Sequence, residues 1–346
     1  MYLKRAFSIS PQPTFDNRFE NGELEIQEEK VYNALEPDYL EFIPASLLRR
    51  MGKAVRMGIG AGLPLLKENK KVEGIIIGTA NGGLENCINF LNQIVEYAEG
   101  RLTPTNFVQS TPNAIAGQLA LMDENTGYNV THVNGSLSFE NALIDGMMYL
   151  ESCNKPTDLL IGAVEEISDY NYNIDTLAGR YKSEIVSNDK LLQTKTEGSV
   201  CGEGSSMFIC SNDPDNAVVE ILEVEQLTYP KEKDVVLRID QMLAKNNLNR
   251  EDIDLTILGY NGDIRTDHWY DHIKDEILPK AKTLTFKNFV GEYRTASSFA
   301  VYLAYRIFEG KGKYLVEQSV HAPRLVLIYN QFDAVRHSLT LLKKVD

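Results

Sequence analysis

The sequence predicts an α/β fold, because apolar runs of strand length alternate along the chain with segments of helical periodicity. The clearest strand is the apolar run at 74–78, which is bounded by glycines in the way typical of a buried central strand. A helix over about 45–67 precedes it, and a second helix follows the Asn-Gly-Gly turn at 81–83. This alternation of elements continues to the end of the chain.

The remaining elements follow the same pattern. Residues 14–30 are polar and acidic, which predicts a loop or surface hairpin, and residues 201–210 predict a turn leading into a strand. Further strands are predicted at 2–9, 129–133, 158–164, 218–224, 253–258, 325–329 and 339–342. Further helices are predicted at about 84–94, 139–150, 236–243 and 297–307. An Asn-Asp-Pro-Asp-Asn stretch near 212–217 divides the chain into halves, 1–213 and 214–346, within one compact unit.

Composition excludes several classes of function. The 346 residues carry a formal net charge of −14, which argues against a nucleic-acid or anionic-membrane surface, although a local basic patch for an acidic carrier protein remains compatible with it. No signal peptide or membrane span is predicted, so the expected location is cytoplasmic. The four cysteines form no CxxC pair and no zinc-ligand spacing, so neither a metal nor a cofactor is predicted.

Several ordered motifs together give the chain a recognisable signature. They are Leu48-Arg49-Arg50-Met51, a glycine turn at 78–83, Thr111-Pro112-Asn113-Ala114 with the following Gly117, Gly202-Glu203-Gly204, and the helix-to-strand approach at 247–254. In this order and spacing they resemble the β-ketoacyl synthase family over about residues 45–345. The resemblance implies a thiolase fold, in which two similar halves stack in five α-β-α-β-α layers, usually as a dimer.

The same resemblance assigns the position of the nucleophile. A ketosynthase holds a catalytic cysteine on a sharp strand-to-helix turn, where a helix N-terminus activates the thiol and backbone N–H groups bind the oxyanion. The strand, turn and helix at 129–150 supply this arrangement, but Ser136 stands at the cysteine position. A hydroxyl is a much poorer nucleophile unless a base removes its proton. His132 could supply such a base, although a strand histidine is more often a packed residue.

Two further positions of the family's site are altered. The family uses two histidines to stabilise the enolate, and Asn261 and Glu292 stand at those positions, whereas Lys287 matches the family's lysine. An ionised Glu292 would repel the malonyl carboxylate and the enolate. The family's glycine-rich gating loop is also replaced, since Phe332 is followed by Asp333-Ala334-Val335-Arg336. Loss of the thiolate and both imidazoles predicts that the chain does not condense acyl groups by itself.

The resemblance is greatest to the degenerate ketosynthase-like proteins of bacterial aryl-polyene and flexirubin-type pigment clusters. It implies a chain-length-factor-like subunit that pairs with a cysteine-bearing ketosynthase, or with itself, and serves acyl carrier protein. By analogy, residues 107–118 lie at the dimer interface, and Phe107, Gln109 and Thr111 are the candidates for reaching the partner's acyl pocket.

Two other functions stay open at this point. In the first, Ser136 is an acyl nucleophile for acyl transfer or thioester hydrolysis on carrier-protein or coenzyme A thioesters. In the second, the hydrogen bonds of Asn261 and Lys287 support decarboxylation alone.

Overall fold

The computed structural model describes residues 1–16, 18–69, 71–312, 315 and 322–345. Its strands are β1 (Tyr2–Ile9), β2 (Glu28–Glu29), β3 (Val31–Tyr32), β4 (Gly74–Gly78), β5 (Tyr128–His132), β6 (Asp158–Glu165), β7 (Val186–Ser187), β8 (Cys201–Gly202), β9 (Gly204–Ser211), β10 (Val219–Thr228), β11 (Leu255–Leu258), β12 (Lys282–Thr285), β13 (Leu325–Phe332) and β14 (Arg336–Lys344). Its α-helices are α1 (Ala45–Leu48), α2 (Lys53–Glu68), α3 (Leu84–Glu96), α4 (Pro104–Gln109), α5 (Ala114–Met122), α6 (Ser138–Glu151), α7 (Asp169–Leu177), α8 (Glu232–Lys245), α9 (Asp267–Asp271), α10 (Lys287–Val290) and α11 (Ser297–Phe308).

One strand arrangement occurs twice in the large sheet. The order is β12-β11-β13-β14-β10-β1-β9-β6-β4-β5, in which β5-β4-β6-β9-β1 repeats as β12-β11-β13-β14-β10. In each set the first two strand pairings are parallel and the last two are antiparallel. The sets meet at a short β1–β10 pairing. The division at 213/214 falls between β9 and β10 and stays a prediction, which the repeated order supports.

Five layers follow from how the helices cover the two strand sets. Helices α6 and α11 each contact strands of both sets and therefore form a middle layer. Helices α2 and α5 cover the outer face of the first set, whereas α8 and α9 pack on the outer face of the second. Alternate residues of β13 face different cores, since Val326 and Ile328 join the middle core and Leu327 joins the outer one. The expected five-layer α/β architecture is thus present.

The helix predicted over about 45–67 is interrupted. The prediction of one continuous helix was wrong, because α1 ends at Leu48 and α2 begins only at Lys53. Gly52 between them is extended (φ −65°, ψ 167°), and its N–H donates to the Gln109 side chain at 2.6 Å. This contact from α4 takes the chain out of the helix and restarts it one turn later.

The described residues contain no helix that is both long enough and apolar enough to cross a membrane. The four cysteines are free thiols: Cys201 and Cys210 are buried, and Cys87 and Cys153 are half-buried.

Candidate functional site

A sharp turn before the middle-layer helix α6 carries Ser136. Strand β5 ends at His132, and a single 3₁₀ turn over Gly135–Leu137 leads directly into α6. Gly135 has φ +56°, a left-handed conformation that glycine adopts without strain. The Ser136 side chain is buried and its Oγ has no hydrogen-bond partner among the described residues. A buried hydroxyl without a partner is costly, so this atom is available for a bond that the chain alone does not supply.

His132 does not serve this hydroxyl. Its Nε2 lies 2.8 Å from Oδ2 of Asp145, which projects from α6. The ring is therefore engaged with a carboxylate, as expected for a packed strand histidine, and Ser136 has no base in hydrogen-bonding contact.

Glu140 lies one helical turn beyond Ser136, inside the middle layer. Burial raises the pKa of its carboxyl, and the nearby Ser297 and Ser338 hydroxyls lower it in part. Its position between α6, α11 and β14 makes it part of the site's interior. Glu140 was not predicted as a site residue, because an acidic residue in a helix's first turn is common and usually exposed.

Asn261, Lys287 and Glu292 meet in a buried cluster. The Lys287 ammonium and the Asn261 amide each donate to Glu292 Oε2, both at 2.7 Å, and Lys287 also donates to the Gln331 carbonyl at 3.0 Å. The other end of the Asn261 amide accepts from the Asp263 N–H at 3.1 Å. Asn261 and Lys287, the groups that could bind a substrate carbonyl, thus both direct an N–H group at Glu292.

Local backbone structure fixes Glu292 in this position. Helix α10 places Lys287 at its start and ends at Gly291, whose φ of +76° reverses the chain. Glu292 then pairs with the strand region around Cys201, since its N–H donates to the Val200 carbonyl at 2.8 Å. Burial raises the pKa of Glu292, while the Lys287 ammonium and the Asn261 amide oppose that rise.

Phe332 contacts two guanidinium groups, one from Arg180 just after α7 and one from Arg294 between α10 and α11. The Cζ atoms of Arg180 and Arg294 lie 5.8 and 5.3 Å from its ring centroid. Both arginines bond the buried carboxylate of Asp175, and Arg180 Nε donates to Asp333 at 2.6 Å. We call Asp175, Arg180, Arg294, Phe332 and Asp333 the α7 latch. It fastens α7 to the hairpin that stands where the family has its gate.

The hairpin between β13 and β14 is short and closed. Asp333 and Ala334 have φ of +56° and +53°, so non-glycine residues occupy the left-handed region that glycine would favour. Arg336, directly after this turn, donates from Nη1 to the Asn134 carbonyl. The hairpin therefore contacts the turn that carries Ser136.

The three residues proposed for the interface differ in orientation. Phe107 and Thr111 are exposed, whereas Gln109 is turned inward and is bonded to Gly52 and to the Arg50 carbonyl. Gln109 thus holds α4 against residues 50–52, and only Phe107 and Thr111 face outward. The roles of all three stay predictions.

Part of the sequence matches the model of a known protein family. Residues 23–180 match the family model of the beta-ketoacyl synthase N-terminal domain. The family resemblance that the motifs indicated is thereby confirmed. No curated protein has a sequence that matches this chain.

Solved structures with the same fold include three ketosynthase assemblies. The ishigamide ketosynthase/chain length factor has 15% identity and a TM-score of 0.78, covering 100% of this chain and 99% of that one. The ketosynthase ApeO in complex with its chain length factor ApeC, from Xenorhabdus doucetiae, has 13% identity and a TM-score of 0.76, covering 99% and 98%. A type II PKS acyl-carrier protein in complex with its ketosynthase (AntDE:AntF) has 12% identity and a TM-score of 0.75, covering 99% of each chain. These similarities confirm the thiolase fold.

The ketosynthase-like site unites most of the residues that the sequence predicted. Asn261, Lys287 and Glu292 are in direct contact, and Phe332 follows Gln331, whose carbonyl Lys287 binds. Ser136 is linked to the same hairpin through Arg336 and Asn134. The latch residues Asp175, Arg180 and Arg294 were missed, because charged residues in a polar helix and loop carry no sequence signal for burial. The assignments of catalytic positions stay predictions.

Proposed function

We propose that this chain is a non-condensing subunit of chain-length-factor type, which pairs with a cysteine-bearing ketosynthase in fatty-acid, polyketide or aryl-polyene type biosynthesis. The observation that carries the proposal is the buried cluster in which Asn261 and Lys287 both donate to Glu292. Losing even one donor to a developing oxyanion typically costs about 10²–10³ in rate. A site without a thiol, whose donors are occupied by its own carboxylate, is expected to have no condensing activity.

An exposed apolar surface supports the pairing. Helix α3 has no fully buried residue in the single chain, although its sequence is rich in apolar residues. We call the surface that it forms with the segment through α4 the α3–α4 face; its exposed apolar residues are Leu91, Val95, Tyr97, Leu102, Phe107 and Val108. Contiguous apolar residues of this kind mark interaction sites in soluble proteins.

Strand β5 supports the same conclusion, because it ends the sheet order and, within the described ranges, pairs only with β4. All five of its residues are half-buried, and the apolar residue after it, Val133, is exposed. An edge strand of this kind is a ready template for another chain.

Charge favours a different partner over a second copy. Two copies with a net charge of −14 each repel one another, whereas a less acidic ketosynthase would be repelled less. The assemblies with the same fold include a ketosynthase with its chain length factor and a ketosynthase with its acyl-carrier protein. By extension, the complex proposed here would receive its acyl chains from acyl carrier protein. The free thiols fit a reducing compartment, and the proposal places the complex in the cytoplasm.

Co-expression tests this proposal. The tagged chain is produced together with a cysteine-bearing ketosynthase from the same genome, and the complex is isolated and sized by light scattering. We expect a one-to-one heterodimer whose condensing activity depends on the partner's cysteine and is insensitive to Ser136→Ala. A stable homodimer that never exchanges with any such ketosynthase would contradict the proposal.

One observation favours a second function, in which Ser136 accepts an acyl group. Its buried Oγ has no hydrogen-bond partner among the described residues, and Ser136 lies two residues before the 14-residue helix α6, whose N-terminus would favour an alkoxide. The absence of a contacting base argues against it, because His132 is bonded to Asp145.

Intact-mass spectrometry separates the two functions. The chain is incubated with acetyl- and malonyl-coenzyme A and with the corresponding acyl carrier proteins. An acyl adduct that Ser136→Ala abolishes would establish the acyltransferase, and an unchanged mass with every donor would eliminate it.

A further inference from the structure

Arg336 occupies a position where a guanidinium requires a partner. It is the first residue of β14, a strand whose side chains alternate between the middle layer and the outer core. Arg336 lies six residues before Leu342 of the middle core and is therefore on the same face of the strand. Its Nη1 donates to the Asn134 carbonyl and lies 3.4 Å from Asn134 Oδ1. The guanidinium also lies against Gly135, where a Cβ would collide with it. The charge is therefore positioned directly at the turn that carries Ser136.

No carboxylate of the described residues forms an ion pair with this guanidinium. Its hydrogen bonds to the described residues are all to Asn134, which is neutral. The other half-buried arginines near the hairpin differ, since Arg180 and Arg294 both pair with Asp175. Lys287 is neutralised by Glu292. Arg336 is thus an unbalanced positive charge in this part of the molecule.

The surroundings increase the demand for an anion. Helix α6, with 14 residues, begins two residues after Ser136, and its positive end repels a guanidinium but attracts an anion. Ser136 is 4% exposed and its hydroxyl has no partner in the part of the chain that the structure describes, so a donor is buried at the same turn. Burial favours the neutral form of Glu140 by raising its pKa, so that carboxyl supplies little counter-charge.

We propose that the Arg336 guanidinium, the Ser136 hydroxyl and the amino-terminal end of α6 form a binding site for an oxyanion, either a carboxylate or a phosphate. A guanidinium presents parallel N–H groups that match two oxygens of either anion. The Ser136 hydroxyl and the N–H groups at the amino-terminal end of α6 would supply further donors to the same anion. The site goes beyond the proposed pairing function: the position of a ketosynthase's acyl nucleophile becomes a reversible, non-covalent anion receptor.

Thermal unfolding of the full chain, combined with calorimetric titration, tests the site. The probes are inorganic phosphate and malonate, each compared with sodium chloride at equal ionic strength. We expect at least one of the two anions to raise the melting temperature and bind with one-to-one stoichiometry, while the intact mass stays unchanged. Binding of phosphate alone, malonate alone or both assigns the site to phosphates, carboxylates or oxyanions in general.

Variants identify the residues responsible. We expect Arg336→Gln to weaken binding at least tenfold and Ser136→Ala to weaken it several-fold. The matched control is Arg238→Gln, which removes a guanidinium paired with Glu225 on the other side of the sheet and should leave binding unchanged.

Two results overturn the proposal. One is that neither anion stabilises the chain beyond sodium chloride, and the other is that Arg336→Gln binds as tightly as the natural chain. Should Arg336→Gln fail to fold, Arg336→Lys replaces it: it retains the charge but loses the planar fork, so binding equal to that of the natural chain has the same negative meaning.

Discussion

At the scale of single residues, the buried pair of Lys287 and Glu292 controls the site. Lys287 is completely buried, and its ammonium has one carboxylate partner at 2.7 Å. Removing one member of such a pair leaves an uncompensated buried charge, which typically costs about 3–5 kcal/mol. We therefore expect Lys287→Met to lower the free energy of unfolding by about that amount, measured by urea denaturation. The double variant Lys287→Met/Glu292→Gln should recover much of the loss, because no buried charge remains unpaired.

The matched control is Lys280→Met. Lys280 also bonds a carboxylate, Glu251, at 2.6 Å, but the two side chains are 72% and 73% exposed. An exposed pair contributes only about 0–1 kcal/mol. Equal losses in Lys287→Met and Lys280→Met would contradict a special role for the buried pair.

Glu166 gives a residue-scale prediction on pH. Burial raises the pKa of this carboxyl to about 7, above the 4.5 expected in the unfolded chain. Between pH 4.5 and pH 7 the folded chain therefore keeps a proton on Glu166 that the unfolded chain has released. The stability that Glu166 contributes is thus complete below pH 4.5 and is lost as the pH rises through 7. The loss is of the order of 3 kcal/mol.

Glu166→Gln should remove this dependence. Glu166 Oε2 accepts from the Ala54 N–H at 2.8 Å, and Oε1 has no partner among the described residues, so an amide fits in its place. Between pH 5 and pH 8, urea midpoints of the variant should fall less than those of the natural chain, whereas the exposed control Glu23→Gln should follow the natural chain. Parallel curves for all three proteins would show that Glu166 does not titrate in this range.

Motif spacing selected Asn261, Lys287 and Glu292, which the structure brings into direct contact, whereas their roles stay predictions. Lys287, Gly291 and Glu292 could be placed because the family's lysine, glycine and histidine stand at fixed separations, and Asn261 because it follows a buried strand. Their contacts could not be predicted, because a glutamate at a histidine position does not reveal whether it faces the lysine or solvent. Glu140 and Arg336 depend on packing between the two halves, which has no local pattern.

At the scale of secondary-structure elements, α7 is held by polar contacts. Its buried residues are Asn171 and Asp175, whereas Tyr170, Ile174 and Leu177 on the opposite side are exposed. This reversal of ordinary amphipathicity explains why periodicity did not predict the helix. The α7 latch, through Asp175, holds α7 against the rest of the protein.

Asp175→Asn should therefore loosen α7 selectively. The change leaves Arg180 and Arg294 without their shared carboxylate, and we expect amide hydrogen exchange of residues 169–182 to accelerate at least tenfold. Exchange of β10, measured in the same experiment, should stay unchanged. Glu251→Gln, which opens the exposed pair with Lys280 outside both regions, is the control and should affect neither of them. Uniform acceleration along the chain would indicate global destabilisation and contradict a local latch.

At the scale of the whole molecule, the repeated strand order explains which surfaces are covered. Both strand sets share α6 and α11, so their inner faces are buried against each other, and the outer faces are covered by α2, α5, α8 and α9. Alternation of strands and helices predicted this class from the sequence, because buried strands and amphipathic helices have local periodicities. Exposure of the α3–α4 face could not be predicted, because an apolar helix has the same sequence pattern whether it packs against its own chain or against another chain.

The exposed apolar surface gives the last prediction, on association. Val95 of α3 is 84% exposed in the single chain, so Val95→Asp should leave the fold intact while placing a charge inside any interface that covers the α3–α4 face. The lost burial of a valine, about 1.5–3 kcal/mol, corresponds to at least a tenfold weaker complex. Leu237→Asp is the matched control, because Leu237 is also exposed, at 56%, but lies on α8 in the outer layer of the other half. Sedimentation of each variant with the cysteine-bearing ketosynthase measures the effect, and circular dichroism verifies the fold. Equal affinities for Val95→Asp and the natural chain would mean that the partner docks elsewhere, whereas a loss confined to Leu237→Asp would locate the interface on the opposite layer.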